Sequence, residues 1–249
     1  MSQPTASVLV IGNEVLSGRT QDANIGYLGK ALAGLGIRLA EARVVADEED
    51  DIVAAVNALR SRYTYVFTTG GIGPTHDDIT AAAIAKAFGV PIERHPQAQA
   101  RLERHYRPGE LNAMRLRMAE LPRGAGLIDN PVSQAPGFWI ENVFVMAGVP
   151  AIMQAMFDGL KQDLVGGPPL VARTVWALVP EGIIAQSLKT IQEQSPGVSI
   201  GSYPFFRHGQ LGVSLVARGI DPQLLDRVAE RLADLLRQHG GAPVREDGE

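Results

Sequence analysis

The sequence predicts an α/β protein, a three-layer unit on a parallel sheet followed by a small α+β domain. Three observations carry this. Apolar, β-branched runs alternate with amphipathic helical spacings through the first half. One of those runs, residues 63–69, passes into a glycine-rich loop and then a helix. Residues 165–169, Val-Gly-Gly-Pro-Pro, form a linker-like break, after which a second compact pattern begins. The expected domains are 1–167 and 170–241, with 242–249 as a tail.

Taken in order, residues 7–11 read as a buried strand. Ile25, Leu28, Leu32 and Leu35 then share one helical face, which Gly34 and Gly36 close. Residues 37–45 are a second strand. The acidic stretch 47–51 opens a helix whose face is Ile52, Val53, Val56 and Leu59, with carboxylates at its positive end. Residues 63–69 are the third strand, and the helix beyond carries Ile79, Ile84 and Phe88. Residues 93–125 are rich in arginine (101, 104, 107, 115, 117 and 123) and read equally as an arm over the site or as a solvated helix face. Residues 143–146 form a further strand, followed by a helix through Met153, Met156, Phe157 and Leu160. Past the linker come strands at 173–179, 198–203 and 211–217. Between them lies a helix with Ile183, Ile184, Leu188 and Ile191, and a last helix runs from Asp221-Pro222 to Gly240-Gly241.

Composition narrows the function classes. The 249 residues are 45% hydrophobic and 20% charged, ordinary for a globular chain able to bury a large core. A net charge of −4 gives no electrostatic reason to bind DNA or anionic lipid. The absence of cysteine excludes disulfides, thiolate metal sites and thiol catalysis. The start of the chain lacks a basic leader, and the longest apolar stretch, residues 143–149, is far short of the ~20 residues a membrane helix needs. A cytoplasmic protein without membrane contact is expected.

The chemistry concentrates in residues 66–80, VFTTGGIGPTHDDIT. Glycines between a strand and a helix let backbone N–H groups approach an anion, and the helix N-terminus adds partial positive charge. Asp77 and Asp78 would repel that anion directly, but suit a divalent cation placed between them and a phosphate. Alternatively, one of them is simply the cap of the following helix. Spacing alone reads Glu14 as a solvated loop residue and Asp22 or Asn24 as an ordinary helix cap. In a parallel sheet, however, the loop after the first strand lies on the same edge as the glycine loop, so that Glu14, Asp22, Asp77 and Asp78 could converge there. Such a cluster calls for a hard cation such as Mg²⁺. His76 alone of the five histidines (76, 95, 105, 208 and 239) falls in this region, where it would contact phosphate; none has metal-ligand spacing to another.

Three runs together resemble one family. They are Gly12-Asn13-Glu14-Val15-Leu16-Ser17-Gly18 continuing to Asp22 and Asn24, then the glycine loop, then Asn130-Pro131-Val132-Ser133-Gln134-Ala135-Pro136-Gly137 with Ala147-Gly148-Val149-Pro150. In this order they resemble the molybdopterin-binding (MoaB/Mog-like) domain, and most closely its version in the CinA family of competence/damage-inducible proteins. The likeness spans about residues 7–165. The region after the linker looks like the KH-type domain that follows in that family, and the chain ends where the family's deamidase domain would come.

The resemblance implies roles. Asp78, with Asp77, would be the catalytic and metal-organising carboxylate. Thr69, Gly70, Gly71, Gly73, Thr75 and His76 would hold phosphate. Gly12, Asn13, Glu14, Asp22, Asn24, Asn130, Ser133, Gln134, Gly148 and Pro150 would form the pocket wall. The activity implied is divalent-metal-dependent hydrolysis of a nucleotide diphosphate such as ADP-ribose. The alternatives are nucleotidyl transfer as in molybdopterin adenylylation, or a module that binds molybdopterin or a nucleotide without turnover. A homo-oligomer is expected. This chain departs from the family pattern at Ser133-Gln134, where Gly-Thr is usual, at Ala147 for Pro, and at Ala151-Ile152 for Ser-Glu. Gln134, bulkier than Thr, would narrow the pocket or read a different ligand, and Ile152 removes a carboxylate. A nucleic-acid role is disfavoured: residues 170–249 hold eight basic residues against nine acidic.

Overall fold

The structure is a computed structural model that describes residues 3–207 and 209–247. His208, the first two residues and the last two of the expected tail lie outside the described residues. The chain divides into two compact units, 1–167 and 168–249.

The first unit is built on a six-stranded sheet. Its strand β1 (Thr5–Ile11) is flanked by β2 (Arg38–Val45) and β3 (Tyr65–Thr69), all parallel. The short helix α1 (Asn13–Leu16) and the helix α2 (Asn24–Gly34) connect β1 to β2, and α3 (Glu49–Arg60) connects β2 to β3. After β3 come α4 (Thr80–Phe88) and an excursion: β4 (Ile92–Arg94), α5 (Pro96–His105), α6 (Ala113–Leu116) and β5 (Glu120–Pro122). There β4 and β5 pair antiparallel as a two-stranded ribbon. The chain then returns through β6 (Gly126–Ile128), β7 (Gly137–Ile140) and β8 (Val143–Met146) to the helix α7 (Pro150–Leu160). The strand order is β2-β1-β3-β8-β7-β6.

This sheet is mixed, which corrects the expected all-parallel one. β8 runs parallel to β3, but β7 is antiparallel to β8 and to β6. The cause is local. β7 and β8 are separated only by Glu141-Asn142, and a two-residue link can join only antiparallel neighbours. Glu141 takes a left-handed conformation (φ 49°), and the Asn142 amide donates to the carbonyls of Arg60 and Tyr63 at 3.0 and 2.9 Å. Two apolar runs, GFWI and VFVM, flanking two polar residues are the hairpin signal for this.

Three layers result from the side-chain alternation of β1. Ala6, Val8 and Val10 face α2 and α7, packing with Leu28, Leu32, Met153 and Phe157. Leu9 and Ile11 face α3 and α4, packing with Ile52, Val56, Leu59 and Ile84. Each layer buries several large side chains, each worth ~1.5–3 kcal/mol.

The second unit runs β9 (Val171–Ala177), α8 (Glu181–Glu193), β10 (Ser199–Arg207), β11 (Gln210–Gly219), α9 (Pro222–Gln238) and β12 (Val244–Asp247). It forms an antiparallel sheet in the order β10-β11-β9-β12. Val175, Ala177, Val213 and Leu215 pack against Ile184, Leu225, Val228 and Leu232 of α8 and α9. Asp221 caps α9, accepting from the N–H groups of Gln223 and Leu224 at 2.9 and 3.1 Å, with Pro222 in the first turn. The residues after α9 add a strand to this sheet. Val244–Asp247 pair with β9, and the Trp176 indole donates to Glu246 Oε1 at 2.8 Å. What is established for this unit is a small domain with an antiparallel sheet.

Candidate functional site

Parallel strands β1, β2, β3 and β8 end on one edge, and the loops leaving them enclose a cleft of about 600 Å³. The loop after β3 is its floor. Gly70 N–H still donates to Met146 O at 3.1 Å, and Thr80 N–H donates to Gly71 O at 3.1 Å, so the loop is tied to the sheet and to α4. Between these ties, the amides of Gly71, Ile72 and Gly73 have no acceptor among the described residues, and all three residues line the cleft. Gly71 must be glycine: its φ is +66°, and a Cβ would overlap the Thr80 hydroxyl, which is buried and donates to Gly70 O at 3.0 Å.

Neither carboxylate caps α4. The cap position belongs to Ile79, without a side-chain bond. Asp78 instead closes a tight turn, its Oδ2 accepting from Thr75 N–H at 2.8 Å and from the Thr75 hydroxyl. Asp78 Oδ1 has no hydrogen bond among the described residues. Asp77 is exposed beside it. The nearby Thr75 hydroxyl chiefly, then its own backbone N–H, then His76 hold the Asp77 carboxyl below the usual carboxylate range. Arg117, from the excursion, donates to Thr75 O at 3.4 Å and so braces the same turn.

Of the expected site residues, Glu14, Gly70, Gly71, Gly73, Asp77, Asp78, Asn130, Ser133, Gly148 and Pro150 line the cleft. Eight others do not. Asp22 is engaged at the start of α2, accepting from Ile25 N–H at 2.9 Å. Asn24 is buried and donates to Gly148 O at 2.9 Å, which supports the wall from behind. Thr69 is buried in β3, Thr75 serves Asp78, and the His76 side chain is 94% exposed. Gly12 lies under the Glu14 carboxylate, and Asn13 N–H donates to Asp47 Oδ2 at 2.8 Å. Gln134 corrects the expectation of a narrowed pocket. It is exposed, in a left-handed conformation (φ 61°), and its amide turns back to Pro131 O at 3.3 Å. Asn130 shapes this loop, donating to Ser133 Oγ and Ala135 O while accepting from Val132 and Ser133 N–H.

The convergence of four carboxylates is thus revised. Glu14, Asp77 and Asp78 reach the cleft, Asp22 does not, and Asp47 joins them. Asp47 follows β2, so its place on the strand-end edge was readable once the sheet was known to be parallel there. Tyr106 and Met118 of the excursion also line the cleft, as does Ile152 of α7. Among the described residues, no group of three or more His, Asp or Glu side chains is disposed to hold a metal ion. The carboxylates therefore do not form a closed cation cage. They do fit a Mg²⁺ that arrives with phosphate, since that ion is commonly held by one or two carboxylates and substrate oxygens.

Among the described residues, no helix is long and apolar enough to cross a membrane. Residues 7–166 match the family described as a probable molybdopterin binding domain, and residues 169–243 match the FAD synthase middle domain. A protein of Pyrobaculum arsenaticum is 34% identical, over 96% of this chain and 97% of its own length. A CinA-like protein of Desulfosudis oleivorans is 31% identical over 97% of this chain, which spans only 61% of that relative. Among solved structures, the protein CinA with unknown function from Thermoplasma acidophilum superposes with a TM-score of 0.62 at 33% identity. It covers 65% of this chain and 98% of its own.

Proposed function

Since the chain belongs to the probable molybdopterin-binding-domain family and is similar to CinA-like proteins, we propose that its first unit binds a phosphorylated nucleotide or pterin and hydrolyses a nucleotide diphosphate such as ADP-ribose. One observation carries this reading: three unpaired loop amides and the paired acids Asp77 and Asp78 border the same cleft.

In this reading the amides of Gly71, Ile72 and Gly73 receive phosphate oxygens. Asp77 and Asp78, together with phosphate oxygens, would hold a divalent cation, Mg²⁺ by its ligand chemistry, which would supply charge neutralisation at the two phosphates. The Thr75 bonds fix Asp78 through Oδ2 and leave Oδ1 to take the proton of an attacking water. Water oxygen bonds to one phosphorus, the bond from that phosphorus to the bridging oxygen breaks, and ADP-ribose yields AMP and ribose 5-phosphate. Nucleotidyl transfer would use the same cradle with a different acceptor.

A second reading, binding without turnover, has an observation of its own. The apolar Ile152 lines the cleft where the family pattern has a carboxylate, and no three-ligand set is present among the described residues. The deciding experiment measures AMP release from ADP-ribose with Mg²⁺, alongside binding of ADP-ribose, FAD and molybdopterin. Product supports hydrolysis, binding without product supports the module, and neither overturns both.

A further inference from the structure

The arginine-rich excursion, β4 to β5, is not a free surface arm. It carries two side chains into the cleft, Tyr106 and Met118, and neither belongs to the phosphate-binding loop. Tyr106 follows α5 directly, and its ring is held in place. The Arg115 guanidinium stacks 4.4 Å from the ring centroid, and the His105 ring meets it edge-on at 4.9 Å. Arg115 is itself anchored, donating to Glu110 O at 2.5 Å, while its backbone N–H donates to Asn112 Oδ1 at 2.9 Å. The Tyr106 body packs on the sheet's hydrophobic core, and its hydroxyl has no partner among the described residues.

We propose that Tyr106 is the platform on which the planar heterocycle of the ligand stacks, so that the excursion selects ligands bearing a purine or pterin ring over bare phosphates. The inference rests on the phosphate-binding reading of the glycine loop. A planar ring already stacked on one side by a guanidinium, and fixed by an anchored neighbour, loses little conformational freedom when a second ring lies against it. Met118 supplies a polarizable thioether in the same cleft, a good contact for an aromatic edge. Arg117, one residue before Met118, ties the excursion to Thr75 and hence to Asp78, which links the ring subsite to the phosphate subsite.

The test compares binding of AMP and of ribose 5-phosphate, each with Mg²⁺, to the wild type, Tyr106→Phe and Tyr106→Leu. The leucine retains apolar packing against the core and removes the plane. Stacking of one base on an aromatic ring predicts roughly 5- to 100-fold weaker AMP binding in Tyr106→Leu. Ribose 5-phosphate binding should be unchanged, and Tyr106→Phe should stay within a few-fold of wild type for both. Equal AMP affinity in wild type and Tyr106→Leu overturns the platform while leaving the phosphate site standing. A parallel loss of both ligands in Tyr106→Leu also overturns it, since the residue then acts on the whole cleft. A wild type that binds neither AMP nor ribose 5-phosphate overturns the phosphate reading itself, and this inference with it.

Discussion

The Asp78 carboxylate occupies the space a side chain on Gly73 would need: a Cβ there would lie 2.7 Å from Oδ2 and 3.1 Å from Oδ1. Gly73 has no left-handed backbone to require it, so its role is to let Asp78 fold over the loop. Gly71 differs, being left-handed and pressed against the buried Thr80.

The two glycines should therefore fail differently when changed to alanine. Gly71→Ala strains the backbone and displaces a buried hydroxyl, and should lower unfolding free energy by about 1–3 kcal/mol. Gly73→Ala should push aside the half-buried Asp78 side chain, leave stability nearly unchanged and depress activity or ligand affinity. Urea unfolding and binding measured on the same preparations separate them. Equal stability losses in both would mean that Gly73 is also a packing residue.

Asp78→Asn retains an oxygen able to accept from Thr75 N–H but removes the proton acceptor. Hydrolysis should fall ~10²–10⁴-fold, the usual worth of a positioned general base, while the melting temperature changes little. Activity within threefold of wild type would reduce Asp78 to an organiser of the 75–78 turn.

How far the sequence was legible follows from which residues carry their own conformational demand. The strands from 7–11, 63–69 and 143–146 were readable because apolar, β-branched runs buried on both faces have few other uses, and 37–45 because its residues alternate between half-buried and exposed. Gly71 was readable because no other residue suits that backbone. β7 was missed because Phe138, Trp139 and Ile140 follow two prolines and two polar residues, which hide where the strand begins. The site residues divide in the same way. Glu14, Asp77 and Asp78 sit beside the glycine signals. Tyr106 and Met118 lie in a segment whose spacing shows a helix but not which side meets the cleft. The bond from Arg117 to Thr75 crosses 42 positions, a tertiary contact that no local pattern encodes.

Away from the cleft, Glu41 should report on acid stability. The Tyr63 hydroxyl donates to it at 2.6 Å and Arg43 at 2.5 Å, and these bonds hold its carboxyl below the usual range. A depressed folded-state value stabilises fully above the unfolded value, about 4.3, and the benefit is lost as pH falls through the folded value. Glu41→Gln should therefore be less stable than wild type at pH 7, with the gap closing below about pH 4. Urea midpoints at pH 7 and pH 3 check this, and a gap unchanged between them would assign the effect to packing.

The departures at Gln134 and Ile152, similar in the sequence, predict opposite things in the structure. Gln134 holds a left-handed conformation on the surface without lining the cleft, so Gln134→Gly should relieve backbone strain. Stability should rise by about 1 kcal/mol, with ligand preference and turnover unchanged. Ile152 lines the cleft from the first turn of α7. Ile152→Glu adds a carboxylate beside Gly148 and Pro150, facing a cleft that already holds Glu14, Asp47, Asp77 and Asp78. Without a cation this extra charge is repelled, so the variant should be less stable than wild type in chelator and recover in Mg²⁺. If hydrolysis is limited by weak cation retention, its rate should rise toward the ~10²-fold that one well-placed polar group can supply. The melting temperature of each variant with and without Mg²⁺, beside AMP release, reads both effects. An Ile152→Glu protein whose stability ignores Mg²⁺ would remove the cation from this cleft altogether, and the carboxylates would then need another explanation.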